Sequence, residues 1–279
     1  MKKFICLGLI AVLLLSLLGM TSCRERVPLR HPPARTPSDT TTSPPETSSS
    51  TEPEITTPIE PLGTPGITFR PNSWLQQGIT ATPLSYAVSG YTGSSVDVVI
   101  PESHGGLPVT AIDDAAFRNQ FHIVSVLIPN TVRTIGKDAF HGSRNLVEVV
   151  IPEGVRVIEN YAFARCTSLS RVVFPSTLER IGQYAFSRCD ALVEINLPHG
   201  LRTIETRAFS LCSSLRKITI PSTVTRIDGF VFFECRALEA INVKSLASAP
   251  AGWSSSWNGV TSINDGRPPT SYHTVNWAQ

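Results

Sequence analysis

Hydrophobic positions of this chain recur with a fixed period of 23 residues between residues 128 and 243. Every copy places an aliphatic or aromatic residue directly before a proline or its equivalent, and two further apolar positions and an Ala-Phe or Val-Phe pair follow. One copy contains these apolar positions: Val155, Ile158, Ala162, Phe163, Cys166, Leu169, Val172 and Phe174. A fixed period of about 20 to 50 residues indicates stacked coils that bury their apolar sides against each other.

The pattern within one coil predicts two extended segments and a turn. Val149 and Ile151 share one face of a strand, and Glu148 and Val150 share the other. Proline ends each such strand because it has no N–H for the ladder. A short extended segment follows, and the Ala-Phe pair predicts a brief helical or 3₁₀ turn. The expected fold is a strand-rich α/β solenoid of right-handed coils with a parallel β-sheet.

The phenylalanine of each Ala-Phe or Val-Phe pair is expected to lie on the axis of the solenoid. Six coils would then stack their rings into one column. The column consists of Phe117, Phe140, Phe163, Phe186, Phe209 and Phe232.

The motif Cys-x-x-Leu-x-x-Ile-x-Leu-Pro-x-x-Leu-x-x-Ile-x-x-x-Ala-Phe, as it stands at residues 189–209, resembles a known repeat. It is similar to the 23-residue leucine-rich repeat of the BspA-like, or treponemal, class of bacterial surface proteins. The resemblance extends over roughly residues 86–277. It implies a leucine-rich repeat solenoid, display at the cell surface, adhesion to host matrix proteins and aggregation between cells.

The N-terminus combines basic residues with a short apolar run. Lys2 and Lys3 precede the run from Phe4 to Leu18, which is shorter than the roughly 20 residues of a membrane-spanning helix and is typical of an export signal. Small residues before Cys23 resemble a lipoprotein processing site. We therefore predict a signal peptide at 1–22 and lipidation of Cys23, which anchors the chain to the cell envelope. The alternative is a secreted protein in which Cys23 has no role.

Composition divides the rest of the chain into four parts. Residues 23–65 are rich in Ser, Thr and Pro and hold too few apolar residues to offset the entropy of ordering, so they are predicted to form a disordered tether. The repeats occupy 98–243. Residues 66–97 and 244–279 are predicted to cap the two ends, because an open coil exposes apolar surface and unpaired backbone.

Four cysteines occupy one position of the repeat. They are Cys166, Cys189, Cys212 and Cys235. Small, buried and free thiols are the favoured interpretation, and disulfides between adjacent coils are the alternative, since exported proteins allow oxidation. A straight column does not converge on a tetrahedral metal site.

Charge and motifs argue against catalysis and nucleic-acid binding. The formal net charge is +2, and Lys2 and Lys3 leave with the predicted signal peptide. The histidines show no metal-ligand spacing, and nucleotide-binding loops and the Gly-x-Ser-x-Gly elbow do not occur. We predict no enzymatic activity and no cofactor.

Two outward surfaces are candidate binding sites. Apolar residues on the outer face of the first strands predict a contact surface for a protein or for a second copy, with strand preference for valine as the alternative. Those residues are Val124, Leu127, Val147, Val150 and Val173. Arg133, Arg156 and Arg202 predict a basic ridge for an acidic protein or a sulfated glycan, with solvated surface as the alternative.

The sequence thus predicts a non-enzymatic cell-envelope lipoprotein whose repeats bind another macromolecule. The leading hypothesis is adhesion to a host matrix protein or cell component. The alternative is a self-associating scaffold of the periplasm or envelope. Contact with the membrane is expected through the lipid anchor alone.

Overall fold

The computed structural model describes residues 63–77, 80–246, 248–259 and 273–277. All regular elements in these ranges are β-strands. In chain order they are β1 (Ile67–Gln77), β2 (Thr80–Tyr91), β3 (Asp97–Val99), β4 (Ser103–His104), β5 (Leu107–Ile112), β6 (Ser125–Leu127), β7 (Thr134–Ile135), β8 (Glu148–Val150), β9 (Val157–Ile158), β10 (Arg171–Val173), β11 (Arg180–Ile181), β12 (Glu194–Asn196), β13 (Thr203–Ile204), β14 (Lys217–Ile220), β15 (Arg226–Ile227), β16 (Ala240–Val243) and β17 (Val275–Trp277).

Each repeat contributes one strand to each of two parallel sheet layers. One layer is a single sheet in the order β1-β2-β5-β7-β9-β11-β13-β15, with β4 on β5. The opposite layer consists of two sheets, β10-β8-β6-β3 and β12-β14-β16-β17. Paired residues in neighbouring repeats are 23 positions apart, as with Arg171 beside Glu148. The predicted strand-rich, parallel leucine-rich repeat solenoid is confirmed.

The core is organised around the predicted phenylalanine column. All six rings are buried, and successive ring centroids are 5.0 to 6.0 Å apart with interplanar angles of 2° to 9°. This spacing matches the pitch of stacked strands, about 4.8 Å. The coils therefore stack in register through both backbone and ring contacts.

The turns that contain these phenylalanines are not helical in the described residues. Two positions per turn have positive φ, one two residues before the phenylalanine and one two residues after it. They are 115, 138, 161, 184, 207 and 230, and 119, 142, 165, 188, 211 and 234. The predicted helical or 3₁₀ turn is thus replaced by a turn with left-handed backbone at two positions.

The turns of neighbouring coils are joined by their own ladder of backbone hydrogen bonds. The N–H of Phe140 donates to the carbonyl of Ala162 at 2.7 Å, and the N–H of Phe163 donates to Ala185 at 2.8 Å. The intervening N–H groups donate locally, as from Ala162 to Glu159 at 3.2 Å. A left-handed conformation costs roughly 1–2 kcal/mol for an L-residue, and these bonds satisfy buried backbone groups in return.

One side of the solenoid is interrupted between β10 and β12. Ladder bonds join β10 to β8 and β12 to β14, but none joins β10 to β12. Phe174 is the only aromatic residue in a column otherwise made of Ile, Leu and Val, and it packs edge-on against Phe186 with centroids 5.6 Å apart. Phe174 and Val172 are only partly buried. We attribute the interruption to the larger volume of Phe174.

Additional strands and aromatic residues cover the two ends of the repeats. The antiparallel pair β1 and β2, longer than the short strands expected there, adds β2 in parallel to β5. At the other end β17 pairs with β16, and Trp253 and Trp257 are buried. Residues 260–272 lie outside the described ranges.

Candidate interaction surface

The outer face of the first strands carries a continuous column of exposed apolar side chains. Val99, Leu127, Val150 and Val173 are 36% to 43% exposed. Val99 lies beside Leu127, and Val150 beside Val173, in the strand register. Large apolar side chains in contact with solvent at successive strands form a patch, and such patches mark contact surfaces more often than scattered residues do.

A second exposed column precedes these strands. Val96 and Val147 are 48% and 42% exposed, whereas Val124 is half-buried. The N–H of Val124 donates to Val96, and that of Val147 donates to Val124, which aligns the column. We call the two columns together the apolar sheet patch. It consists of Val96, Val99, Val124, Leu127, Val147, Val150 and Val173.

The structure adds residues that the sequence analysis missed. Val96 and Val99 belong to the patch but precede the insert at residues 103–106, which shifts the first copy out of the 23-residue frame. Ile100 faces inward, so alternation along the strand predicts that Val99, the residue before it, faces outward. Val193 is 50% exposed as well, but it directly precedes β12 and so lies beyond the patch.

The patch ends at the interruption between β10 and β12. Beyond it the same outward column becomes polar, with Asn196, Thr219 and Asn242 at the positions of the exposed aliphatic residues. Asn276 Nδ2 donates to Asn242 Oδ1 at 3.0 Å. One face of the solenoid is therefore divided into an apolar half and a polar half.

Charged residues run beside the patch in pairs of opposite sign. Arg171 contacts Glu148 at 3.1 Å, and Lys217 contacts Glu194 at 3.9 Å. Ser125 Oγ donates to Asp97 Oδ1 at 2.5 Å. Exposed pairs of this kind contribute about 0–1 kcal/mol each, so they align neighbouring strands more than they stabilise the fold.

The predicted basic ridge is paired with a carboxylate at one of its three arginines. Arg156 pairs with Glu179 at 2.5 Å, and Arg133 donates to the carbonyl of Val132 at 3.0 Å. Arg202 is exposed and has no side-chain partner in the described ranges. The arginines beside the ridge are also paired, Arg180 with two glutamates and Arg226 with Asp228. The ridge therefore presents less positive charge than its sequence indicates.

The cysteine column consists of free, fully buried thiols, as predicted. Each Sγ donates to the carbonyl of a phenylalanine in the preceding coil, as Cys189 does to Phe163 at 3.3 Å. Ser143 makes the same contact with Phe117 through its hydroxyl at 2.8 Å. Burial raises the pKa of the Cys166 and Cys189 thiols. These residues have a structural role, while Cys23 lies outside the described ranges.

An open polar cavity of about 690 Å³ lies near β1. It is lined by residues including Arg70, Asp113, Asp114 and Lys137. Arg70 forms two hydrogen bonds with Asp113, one of them at 2.7 Å from Nη2 to Oδ1, and Asp114 Oδ1 accepts the N–H of Lys137 at 2.7 Å. These contacts pair the lining groups with each other.

Two further features bear on chemistry and localisation. In the part of the chain that the structure describes, no three His, Cys, Asp or Glu side chains are grouped closely enough to hold a metal ion. The same residues include no helix long and apolar enough to cross a membrane.

The fold and repeat geometry define a leucine-rich repeat solenoid, a class built to present extended surfaces to other proteins. The BspA type leucine rich repeat region matches residues 110–246 in six copies. A leucine rich repeat protein of T. pallidum is 36% identical, with a TM-score of 0.56, over 60% of this chain and 81% of that one. This chain belongs to the BspA-type leucine-rich repeat family.

Two further solved structures are similar to this chain. A leucine-rich repeat protein from Bacteroides ovatus is 29% identical with a TM-score of 0.56, covering 63% of this chain and 45% of that one. A leucine rich cell surface protein from Faecalibacterium prausnitzii is 28% identical with a TM-score of 0.47, covering 64% of this chain and 56% of that one. Comparison with curated proteins gives no match. Leucine-rich repeat families are generally non-enzymatic scaffolds suited to protein–protein interaction.

Proposed function

We propose that this chain is a lipid-anchored protein of the cell envelope that binds a host matrix protein or cell component through the apolar sheet patch. The observation that carries the proposal is the exposure of Val99, Leu127, Val150 and Val173 side by side on adjacent strands. Burying such aliphatic surface against a partner contributes about 25 cal/mol per Å² of apolar area. The anchor at Cys23 and the tether at 23–65 are proposed on sequence alone.

Placement of the patch supports a macromolecular partner. A sheet face is broad and has no enclosing walls, so it suits a large complementary surface better than a small molecule. The paired charges beside it supply a polar rim to an apolar centre, which is the usual anatomy of a protein interface. The alternative is self-association through the same patch in an envelope scaffold.

Substitution within one outward column tests the proposal. Val150→Glu places a charge in the centre of the patch, and Thr219→Glu places the same charge three coils further along the same column, in the polar half. The full chain and both variants would be tested for binding to immobilised fibronectin, laminin and type I collagen. We expect Val150→Glu to lose binding by about ten-fold or more and Thr219→Glu to retain it.

Mass in solution separates the two candidate functions. Sedimentation of the wild-type chain as a monomer that binds a matrix protein supports adhesion. A stable dimer that Val150→Glu dissociates, without matrix binding, supports the scaffold. Equal behaviour of both variants and the wild type in both assays would show that the patch has no binding role.

A further inference from the structure

The turns carry a second surface that differs from the apolar sheet patch in both position and chemistry. Bulky residues Tyr161 and Tyr184 occupy left-handed positions, with φ of 60° and 55°, where earlier coils have Ala115 and Asp138. Aromatic residues rarely adopt this conformation. The same backbone conformation recurs in every turn, so the two tyrosines occupy equivalent positions of adjacent coils.

The two tyrosines form an ordered stack with an arginine above them. The rings of Tyr161 and Tyr184 are 4.9 Å apart at an interplanar angle of 5°. The guanidinium of Arg207, in the next coil, lies 5.9 Å from the Tyr184 centroid and donates to its hydroxyl at 3.2 Å. It also lies 5.0 Å from the centroid of Phe233. Arg207 is thus held in place by rings on both sides.

Two more arginines follow at the second left-handed position of the same turns. Arg165 and Arg188 are exposed, with φ of 61° and 59°. Between them and the tyrosines the chain has small buried residues, Ala164 and Ser187. Ala164 and Ser187 therefore form a row of small residues that is flanked by larger side chains on both sides. We call Tyr161, Arg165, Tyr184, Arg188 and Arg207 together the turn face.

The positive charge of the turn face is not neutralised within the described residues. Arg165, Arg188 and Arg207 form no ion pair there, whereas most other described arginines do. The paired ones are Arg70, Arg118, Arg156, Arg171, Arg180, Arg216, Arg226 and Arg236. Three unpaired guanidinium groups in successive coils attract an acidic ligand.

Ring geometry favours a peptide over a glycan. Tyr161 and Tyr184 stack on each other, Arg207 lies over the ring of Tyr184, and His141 of the preceding coil lies 6.4 Å from the ring of Tyr161. Little flat ring face is therefore left for a sugar ring. The guanidinium fork matches carboxylates, and Tyr and Arg are enriched where proteins bind proteins. Coils stack about 4.8 Å apart, so three coils span about 10 Å, the length of about three extended residues.

We propose that the turn face binds an acidic peptide segment of a partner protein. Aspartate or glutamate carboxylates of the segment contact Arg165, Arg188 and Arg207, and its backbone runs along the stack of coils over Ala164 and Ser187. The turn face thus offers three guanidinium groups without ion pairs in successive coils, whereas on the ridge Arg156 is already paired with a glutamate.

Charge-matched variants of the full chain test this site. The probe is a fluorescein-labelled decapeptide of alternating glutamate and serine, with a glutamine-for-glutamate peptide as its control. Arg165→Gln with Arg188→Gln removes two charges from the turn face. Arg156→Gln with Arg171→Gln removes two charges from exposed arginines that already have glutamate partners.

Fluorescence anisotropy is expected to show at least about ten-fold weaker binding for the turn-face variant and less than about two-fold change for the control variant. Binding should weaken as NaCl rises from about 50 to about 500 mM. Equal loss in both variants would assign the binding to overall charge and overturn the proposal. Absence of peptide binding by the wild type, with or without binding of a heparin fragment, would overturn it too.

Discussion

Asn160 and Gly182 depend on each other across neighbouring coils. Asn160 Oδ1 accepts the N–H of Gln183 at 2.9 Å, and a Cβ at Gly182 would lie 2.6 Å from the same oxygen. The arrangement recurs two coils earlier, where a Cβ at Gly136 would lie 2.5 Å from Asp114 Oδ1. A side-chain cap from one coil therefore requires a residue without a side chain in the next coil.

Gly182→Ala tests this dependence. The added methyl group would also meet the backbone N of Asn160 at 2.8 Å, which cannot move away cheaply. We expect a loss of about 1–3 kcal/mol in the free energy of unfolding, measured by urea titration. Gly229→Ala is the matched control, because its Cβ would meet the movable hydroxyl of Ser256 at 2.9 Å. Equal losses in the two variants would contradict the mechanism.

Removal of one ring from the phenylalanine column should destabilise the whole stack. Phe163 is fully buried and contacts Phe140 and Phe186 at centroid distances of 5.1 and 5.3 Å. Phe163→Ala is expected to cost about 3–5 kcal/mol, because the cavity is enclosed by rings on both sides. Chemical denaturation measures this. Phe121→Ala, at a ring that is 50% exposed, should cost far less, and a similar cost would show that the column is not the core.

Phe174 offers a test of why the sheet is interrupted. The N–H of Ser170 donates to Val147 at 2.9 Å, and that of Arg216 donates to Val193 at 2.9 Å, but no corresponding bond joins Val193 to Ser170 in the described residues. We expect Phe174→Ile to let β10 and β12 pair and to slow amide exchange at Val193 by about ten-fold.

Hydrogen–deuterium exchange of a peptide covering residues 190–197 measures the effect of Phe174→Ile. Leu197→Ile, in the same column one coil later, should leave exchange unchanged. If Phe174→Ile leaves the amide as fast as in the wild type, a cause other than ring volume separates the strands.

His273 should make stability depend on mild acid. Its ring is buried, and burial lowers its pKa, although contact of Nε2 with the carbonyl of Phe232 at 3.1 Å opposes this shift. Above the ordinary histidine pKa of about 6.5 the ring is neutral in both the folded and unfolded states. Below it the unfolded chain binds a proton first, so stability falls as the pH falls.

The free energy of unfolding of the wild type is therefore expected to drop between about pH 6.5 and pH 5, with a slope of at most about 1.4 kcal/mol per pH unit from this residue, and the thermal midpoint should fall with it. His273→Asn should flatten that slope, whereas His199→Asn, at an exposed position, should not. Identical slopes for both variants would remove His273 as the cause.

Sequence periodicity predicted the parts of the fold that every coil shares. Phe163 and Ile158 lie in the core because a 23-residue frame puts equivalent residues above one another, and alternation in each strand determines which of its residues face inward. Exposure of Val150 and Val173 followed from the same alternation. The free thiol at Cys189 was favoured because a straight column suits small side chains.

Features that differ from coil to coil escaped prediction, because they depend on which side chains reach across the stack. Arg180 bridges Glu159 at 2.8 Å and Glu205 at 3.0 Å, in the coils before and after its own, since Gly182 leaves room between them. The left-handed backbone at Tyr161 could not be predicted from the sequence, because the position holds neither glycine nor asparagine, the residues that indicate this conformation. The interruption at Phe174 depends on one ring being larger than its neighbours.

The backbone ladder of the turns has a direction. The N–H groups of Phe140 and Phe163 both point to carbonyls of the following coil, and none of these bonds depends on which pair of coils is joined. Each coil thus donates to the next coil in the same way as the preceding coil donates to it. Gain or loss of one complete 23-residue unit would preserve the backbone bonds of the turns, so the length of such a protein is free to change in steps of a single coil.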